Sequence, residues 1–246
     1  MWNELKPAFL MMIVMTILTG LIYPAVMTAV TRVAFPQQAD GSLVTVNGQV
    51  VGSSLIGQNF TRPEYFHPRP SNAGNGYDPT ATGGSNLGAT SAKLINGTTK
   101  TDDKTKQEVV DFDGIKDRVV HYCVENDIPY ESSLPLDTFH DAHGDLDDVK
   151  LIKAFNADKS PLEFRAKELI PADAVTASAS GVDPHISPRN ADIQAARVAH
   201  ARGVAVQRVQ EMVAKHTEGR DLWLLGEPRV NVLLLNLELD RQFPKQ

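Results

Sequence analysis

The sequence predicts a single membrane-spanning helix at the N-terminus followed by a mixed α/β domain. Three observations carry that prediction. Lys6 and Arg32 bracket a run, Pro7 to Thr31, that holds no charged side chain. Alternating residues in "SLVTVNGQVVG" (42–52) and "PRVNVLLLNLELD" (228–240) read as strands near both ends of the remainder. Capped helical segments stand between them, and strands flanking helices are the pattern of an α/β or α+β domain.

The charge-free run exceeds the ~20 residues a helix needs to cross the hydrocarbon core. A cleaved secretory leader fits less well, because its apolar region is shorter and no small-residue cleavage site follows here. An uncleaved anchor also accounts for Trp2 and Tyr23, which stand near the ends, where interfacial aromatics belong; a buried core helix does not. Pro24 lacks a backbone donor, so the helix is expected to kink or end there, with a neighbouring helix or a local adjustment satisfying the freed carbonyl. Gly20, with Thr16 and Thr19, offers a small-residue face for close helix packing. The positive charges on the two sides nearly balance, so charge leaves the orientation open.

In the remainder, Asn47-Gly48 is a two-residue hairpin signal that sets Val46 opposite Gln49 and Val44 opposite Val51. Ser187 as N-cap and Pro188 at the first helical position open a helix that runs through Ile193, Ala196 and His200 to a stop near Gly203. A second helix carries Val206, Val209 and Val213 on one stripe and ends at Gly219. Near the C-terminus Leu233, Leu235, Leu237 and Leu239 recur at period two, the spacing of a long strand on a core.

Composition excludes several function classes. A net charge of −6 and a pI near 5.6 argue against nucleic acid as a partner, since phosphate-backbone binders concentrate Lys and Arg. The single cysteine, Cys123, rules out an internal disulfide and any multi-cysteine zinc site. "YFHPRPSNAGNGYDPTATGGSNLG" (65–88) is rich in glycine, yet the chain holds no phosphate-loop motif and no strand leading into G-x-G-x-x-G. "TASASGVDPHISP" (176–188) sets serines beside Asp183 and His185 without the nucleophile elbow of a hydrolase. "FHDAHGD" (139–145) offers His140, His143 and Asp145 in a polar, acidic setting without paired-histidine helical spacing, and reads as solvated surface. No catalytic residue and no metal ligand is expected.

Ordered blocks along the chain carry a further signal: "TGLIYP" (19–24), "FPQQADGSL" (35–43), "GSSLIGQNFTRPEYFHPRPS" (52–71), "YDPTATGGSNLG" (77–88), "VTASASGVDPHISP" (175–188), "QAARVAHARG" (194–203) and "LGEPRVNVLLLNLELD" (225–240). In these the chain resembles the C-subunit family of the Kdp-type potassium-transporting ATPases. The resemblance implies an anchor segment over 1–34, with Gly20, Tyr23 and Pro24 in the bilayer, and a soluble domain over 35–246. It also implies a single pass through a bacterial inner membrane, N-terminus cytoplasmic, domain extracytoplasmic. Implied partners are a channel-like potassium-translocating subunit, a P-type ATPase subunit and a small one-helix subunit. The implied role is non-catalytic: assembly and stabilisation of that complex and modulation of transport, with no cofactor of its own and with ATP, Mg and K+ handled by the partners. An alternative reading makes the domain a regulator that raises the pump's ATP affinity through Ser178, Ser180 and Gln194. The long polar stretch is then expected to be a partner-contact loop, with Tyr65, Phe66, His67, Tyr77 and Asn86 as its candidate contacts. One departure stands out: at about 95–169, where the family pattern needs only a short helical connection, this chain carries an Asp- and Lys-rich segment. Val119, Val120, Ile128, Leu151, Ile152 and Phe155 give that segment something to pack.

Overall fold

The structure, a computed structural model, describes residues 2–141 and 143–244, with side chains from residue 4 onward. Met1 and the side chain of Trp2, the expected interfacial aromatic, lie outside the described part. Packing divides the chain into two compact units, one ending at Leu55 and the other running from Ile56.

The first unit holds α1 (Trp2–Ile17), a π-helical turn (Leu18–Ile22), α2 (Tyr23–Ala34), a short α3 (Pro36–Ala39) and a hairpin of β1 (Leu43–Val46) and β2 (Gln49–Ser53). The helix from Glu4 to Ala34 is long and apolar enough to cross a membrane, and none of its window is buried by protein. Pro24 does not end it. The Tyr23 N–H reaches back five residues to Leu18 O, and this wider turn directly before Pro24 lets the helix continue past a residue that cannot donate. In the hairpin, Asn47 and Gly48 both take positive φ, 50° and 79°, as a type I′ turn requires. Val46 faces Gln49 as expected, but a bulge between Val44 and Thr45 sets Val44 opposite Gly52 instead of Val51. A hairpin rule fixes pairs next to the turn; an inserted residue further out shifts everything beyond it.

The second unit is mixed helix and sheet, as expected. After a long irregular stretch it runs α4 (Ala92–Asn96), β3 (Thr98–Thr101), β4 (Glu108–Phe112), α5 (Ile115–Glu125), β5 (Tyr130–Ser132), a 3₁₀ turn (Leu136–Phe139), α6 (Asp148–Phe155), β6 (Phe164–Ala166) and α7 (Ala172–Val175). It closes with β7 (His185–Ile186), α8 (Pro188–Arg202), α9 (Val206–Lys215), β8 (Thr217–Glu218), β9 (Arg229–Asn231) and α10 (Val232–Gln242). Strands β3 and β4 pair antiparallel, as do β5 and β6, while β9 lies between β7 and β8 in a three-stranded antiparallel sheet.

Helix α8 begins and ends where its caps direct. Ser187 Oγ accepts from the Asn190 N–H, Pro188 takes the first position, and Gly203 stops the helix in the left-handed conformation. Helix α9 ends at Lys215, short of Gly219, because Thr217–Glu218 is drawn into the sheet beside β9. The C-terminal segment is a correction. Instead of one long strand, pairing stops at Asn231 and a helix begins, with Asn231 Oδ1 capping the Leu234 N–H. Val232, Leu233, Leu235, Asn236 and Leu239 are buried, and all but Leu233 fall at i, i+3, i+4 and i+7 of one helical face, a spacing that overrides the period-two leucines. Leucine is a good helix former, and the N-cap decides between the templates.

The main core gathers Ala195, Val198, Val209, Met212, Leu235 and Leu239 with Phe66 from the irregular stretch. A second cluster, Val120, Leu136, Phe139, Leu151, Phe155 and Leu162, and a third around Tyr122, Cys123, Ile128 and Val175 lie mostly within residues 95–169. That Asp- and Lys-rich segment therefore has cores of its own.

Candidate functional site

The loop that the sequence marks out is held from beneath. Two buried side-chain amides each grip one residue of its backbone at both ends. Asn236, on α10, accepts from the Phe66 N–H at 2.9 Å and donates to Phe66 O at 3.0 Å. Gln194, on α8, accepts from the His67 N–H at 2.7 Å and donates to His67 O at 3.1 Å. An extended backbone exposes one donor and one acceptor per residue, and an amide supplies the matching pair. Arg197 adds bonds to Pro63 O and Tyr65 O at 2.7 and 3.0 Å, and Arg202 reaches Glu64 O at 2.7 Å.

The five candidate contact residues divide accordingly. Phe66 is fully buried in the main core. Tyr77 is buried with its hydroxyl on Arg69 O at 2.8 Å, and burial, with the Asp183 carboxylate adding to it, pushes its phenol well above the usual range. Tyr65 donates to Asp240 at 2.9 Å, and the Arg62 and Arg202 guanidiniums each lie 4.9 Å from its ring centre. His67 faces a cleft and pairs with Glu125 at 3.0 Å. Asn86, at positive φ, is the exposed member.

The segment around "TASASGVDP" forms the other wall. Gly83 N–H donates to Ser180 O at 2.9 Å and Gly57 N–H to Val182 O at 2.8 Å, while Ser71 Oγ donates to Gly181 O at 2.6 Å. Arg69 pairs with Asp183 at 2.9 Å. Ser178 is buried and accepts from the Gly181 N–H, whereas Ser180 is exposed and accepts from the Val182 N–H. Ser178, Ser180 and Gln194 thus use their polar atoms within the domain, on backbone and, for Gln194, also on Asn190 and Arg197. Asp183 and His185 pair with each other, without a serine, at 3.4 Å.

Between the loop and helices α5 and α8 lies a cleft of about 510 Å³ lined by His67, Arg69, Tyr77, Asp117, His121 and Gln194 among others. It is polar and acidic on the α5 side. Asp117 is 2% exposed and burial pushes its carboxyl up to about 7, His121 opposing and Asp148 reinforcing the rise. His121 Nε2 lies 2.7 Å from Asp148 Oδ1. Burial lowers the imidazole's basicity, but the Asp148 hydrogen bond and the Asp117 charge outweigh it and leave the pKa raised. The histidines of the 139–145 stretch lie on the surface, as their polar setting led one to expect. His140 and His143 are exposed, with His140 bonded to Gly144 O and the His143 N–H held by Asp141. The readable signal was Asp117 and His121, four apart on one helix.

Outside the cleft lining, a turn between β8 and β9 exposes Leu222, Trp223 and Leu224 at 82%, 95% and 77%. Arg229 braces it through Glu218 and Asp221, and Arg220 pairs with Glu227.

A helix long and apolar enough to span a membrane, a loop tied down by its own domain and a braced apolar tip are the features of a membrane-anchored protein that offers surfaces. Comparison with known proteins makes this specific. The family model described as "K+-transporting ATPase, c chain" matches residues 5–124 and 146–241, leaving 125–145 between the matched stretches. Proteins named "Potassium-transporting ATPase KdpC subunit" are similar over nearly the whole chain. The Mycobacterium tuberculosis H37Rv protein is 40% identical over 98% of this chain and 100% of its own length. Those of Koribacter versatilis and Myxococcus xanthus are 40% and 42% identical over 99% of this chain, and 97% and 90% of theirs. The chain belongs to the KdpC family, and is therefore a subunit of a potassium-transporting ATPase and not a self-contained enzyme.

Proposed function

We propose that this subunit assembles and stabilises a potassium-uptake complex, docking its domain on a channel-like subunit beside a P-type ATPase subunit and a small one-helix subunit, and so modulates transport. Its helix anchors it in the inner membrane with the N-terminus cytoplasmic and the domain outside. Nucleotide, Mg and K+ are handled by the partners. The observation that carries this reading is the turn at Leu222–Leu224. An apolar tip of this kind on a braced turn marks a surface meant to be covered, and Trp is a frequent anchor in protein interfaces. The loop supports it: a long polar segment fixed through backbone by Gln194 and Asn236 is shaped in advance, so binding costs little ordering entropy.

The test is co-purification. Trp223→Asp and Leu224→Asp in the full chain should reduce recovery of the other subunits from detergent extracts while the variant itself remains folded and in the membrane. Undiminished recovery with unchanged potassium-stimulated ATPase activity would refute the docking role. A reading through pump ATP affinity gains less support, because Gln194 and Ser178 are buried and already bonded.

A further inference from the structure

Helix α5 presents Asp117 and His121 on one face, four residues apart, and the first turn of α6 brings Asp148 to the same place. One ligand atom from each lies within 4.8 Å of the other two. Asp117 is almost wholly buried, and its Oδ1 has no hydrogen-bond partner. Native interiors leave few carboxylate oxygens in that condition. The neighbouring guanidinium does not answer it. Arg118 is committed to Asp113, through two bonds of 2.7 and 2.9 Å, and to Val175 O. Among the described residues no lysine or arginine forms an ion pair with Asp117.

We infer that Asp117, His121 and Asp148 form a site for a divalent transition-metal cation, best matched by Zn2+. Two carboxylates and one imidazole are a nitrogen–oxygen donor set of the kind Zn2+ takes, and three protein ligands with a fourth position toward the cleft leave room for water. With both carboxylates ionised the ligands carry two negative charges, which a divalent cation neutralises where burial otherwise penalises them. A cation at the site displaces the proton shared by His121 Nε2 and Asp148 Oδ1 and any proton on the Asp117 carboxyl, and these leave to solvent. Ligands ~2.1 Å from one ion stand closer together than the widest separation here. His121 and Asp148 are half-exposed at the cleft wall, with the freedom to close around it. The bound ion would clasp α5 to the start of α6, linking elements that also share the Val120–Leu151–Phe155 cluster.

Zinc binding by the purified full chain in detergent tests this. After chelation and dialysis against ZnCl2, the wild type should retain one equivalent of zinc, and Asp117→Asn and His121→Gln should each weaken binding at least tenfold. The double variant His140→Ala/His143→Ala should bind as wild type does. Absence of zinc from the wild type, unchanged binding in both cleft variants, or loss confined to the His140/His143 double variant would overturn the site. Circular dichroism checks that each variant folds. Should Asp117→Asn not fold, the Co2+-loaded wild type carries the test: its visible spectrum should show nitrogen–oxygen ligation and vanish in Asp148→Asn, and a spectrum unmoved by that change would equally overturn it.

Discussion

The amide of Gln194 and the backbone of His67 bond to each other twice, Oε1 to the His67 N–H at 2.7 Å and Nε2 to His67 O at 3.1 Å, across 127 residues of chain. One residue earlier in the loop, Asn236 repeats the arrangement on Phe66. Replacing Gln194 by Leu keeps the volume roughly constant but leaves a backbone donor and acceptor without partners, each at about 1–3 kcal/mol. The variant should melt at lower temperature and be cut sooner by protease within residues 65–88. Since both clamps hold one stretch of loop, Gln194→Leu and Asn236→Leu should not be additive. Additive losses in a double-mutant cycle would show that the clamps act separately.

Glycines of the loop and its facing wall should differ sharply in tolerance. Gly181 has φ +71°, and an added Cβ would stand 2.7 Å from Gly83 O and from Ala73 Cβ. The backbone strain alone costs about 1–3 kcal/mol, and the contact adds to it by prising the loop off its wall. Gly88 has open space around it. Thermal unfolding should therefore drop for Gly181→Ala and stay within a degree or two for Gly88→Ala; equal effects would contradict the packing described.

Stability on the acid side should depend on Asp111. Hydrogen bonds from Lys93 and Lys100, joined by Thr98, hold its carboxyl down to about 2. A depressed folded-state pKa gives stability that is present above the ordinary carboxylate pKa and is lost as pH falls through the folded one. Between about pH 4 and 2 the wild type should lose a component that Asp111→Asn never had. Denaturant midpoints measured across that window should converge for the two proteins as pH falls. Parallel curves would remove Asp111 from the account.

Cys123 should be inert in the folded chain. It is fully buried in the cluster with Tyr122, Ile128 and Val175, and burial, with Glu168 adding, pushes its thiol up to about 11. Little thiolate exists at pH 8, so thiol reagents should modify it slowly until denaturant is added. Rapid labelling of native protein would contradict this burial. Topology mapping accordingly needs an introduced cysteine at an exposed site such as Asn86.

By itself the sequence determined whatever depends on neighbours along the chain. The charge-free run marks a spanning helix because length and lack of charge suffice for that. Ser187, Pro188 and Gly203 set the limits of α8, and Asn47-Gly48 sets the hairpin turn, because caps and tight turns are satisfied within a few residues. The ordered family motifs determined the family. Tertiary structure decided the rest. The leucines after Asn231 fit a strand or a helix by pattern, and only the cap and the core they face selected the helix. The hairpin bulge had no local signal. Phe66 and Tyr77 look like contact residues in an isolated loop, yet they are buried because α8, α10 and the 176–183 segment close over them. Asp117 and His121 share a helix, but Asp148 joins them only when the apolar faces of α5 and α6 pack together. Burial, not spacing, is what changes the chemistry of that carboxylate. It comes from residues distant in sequence, so no reading along the chain supplies it.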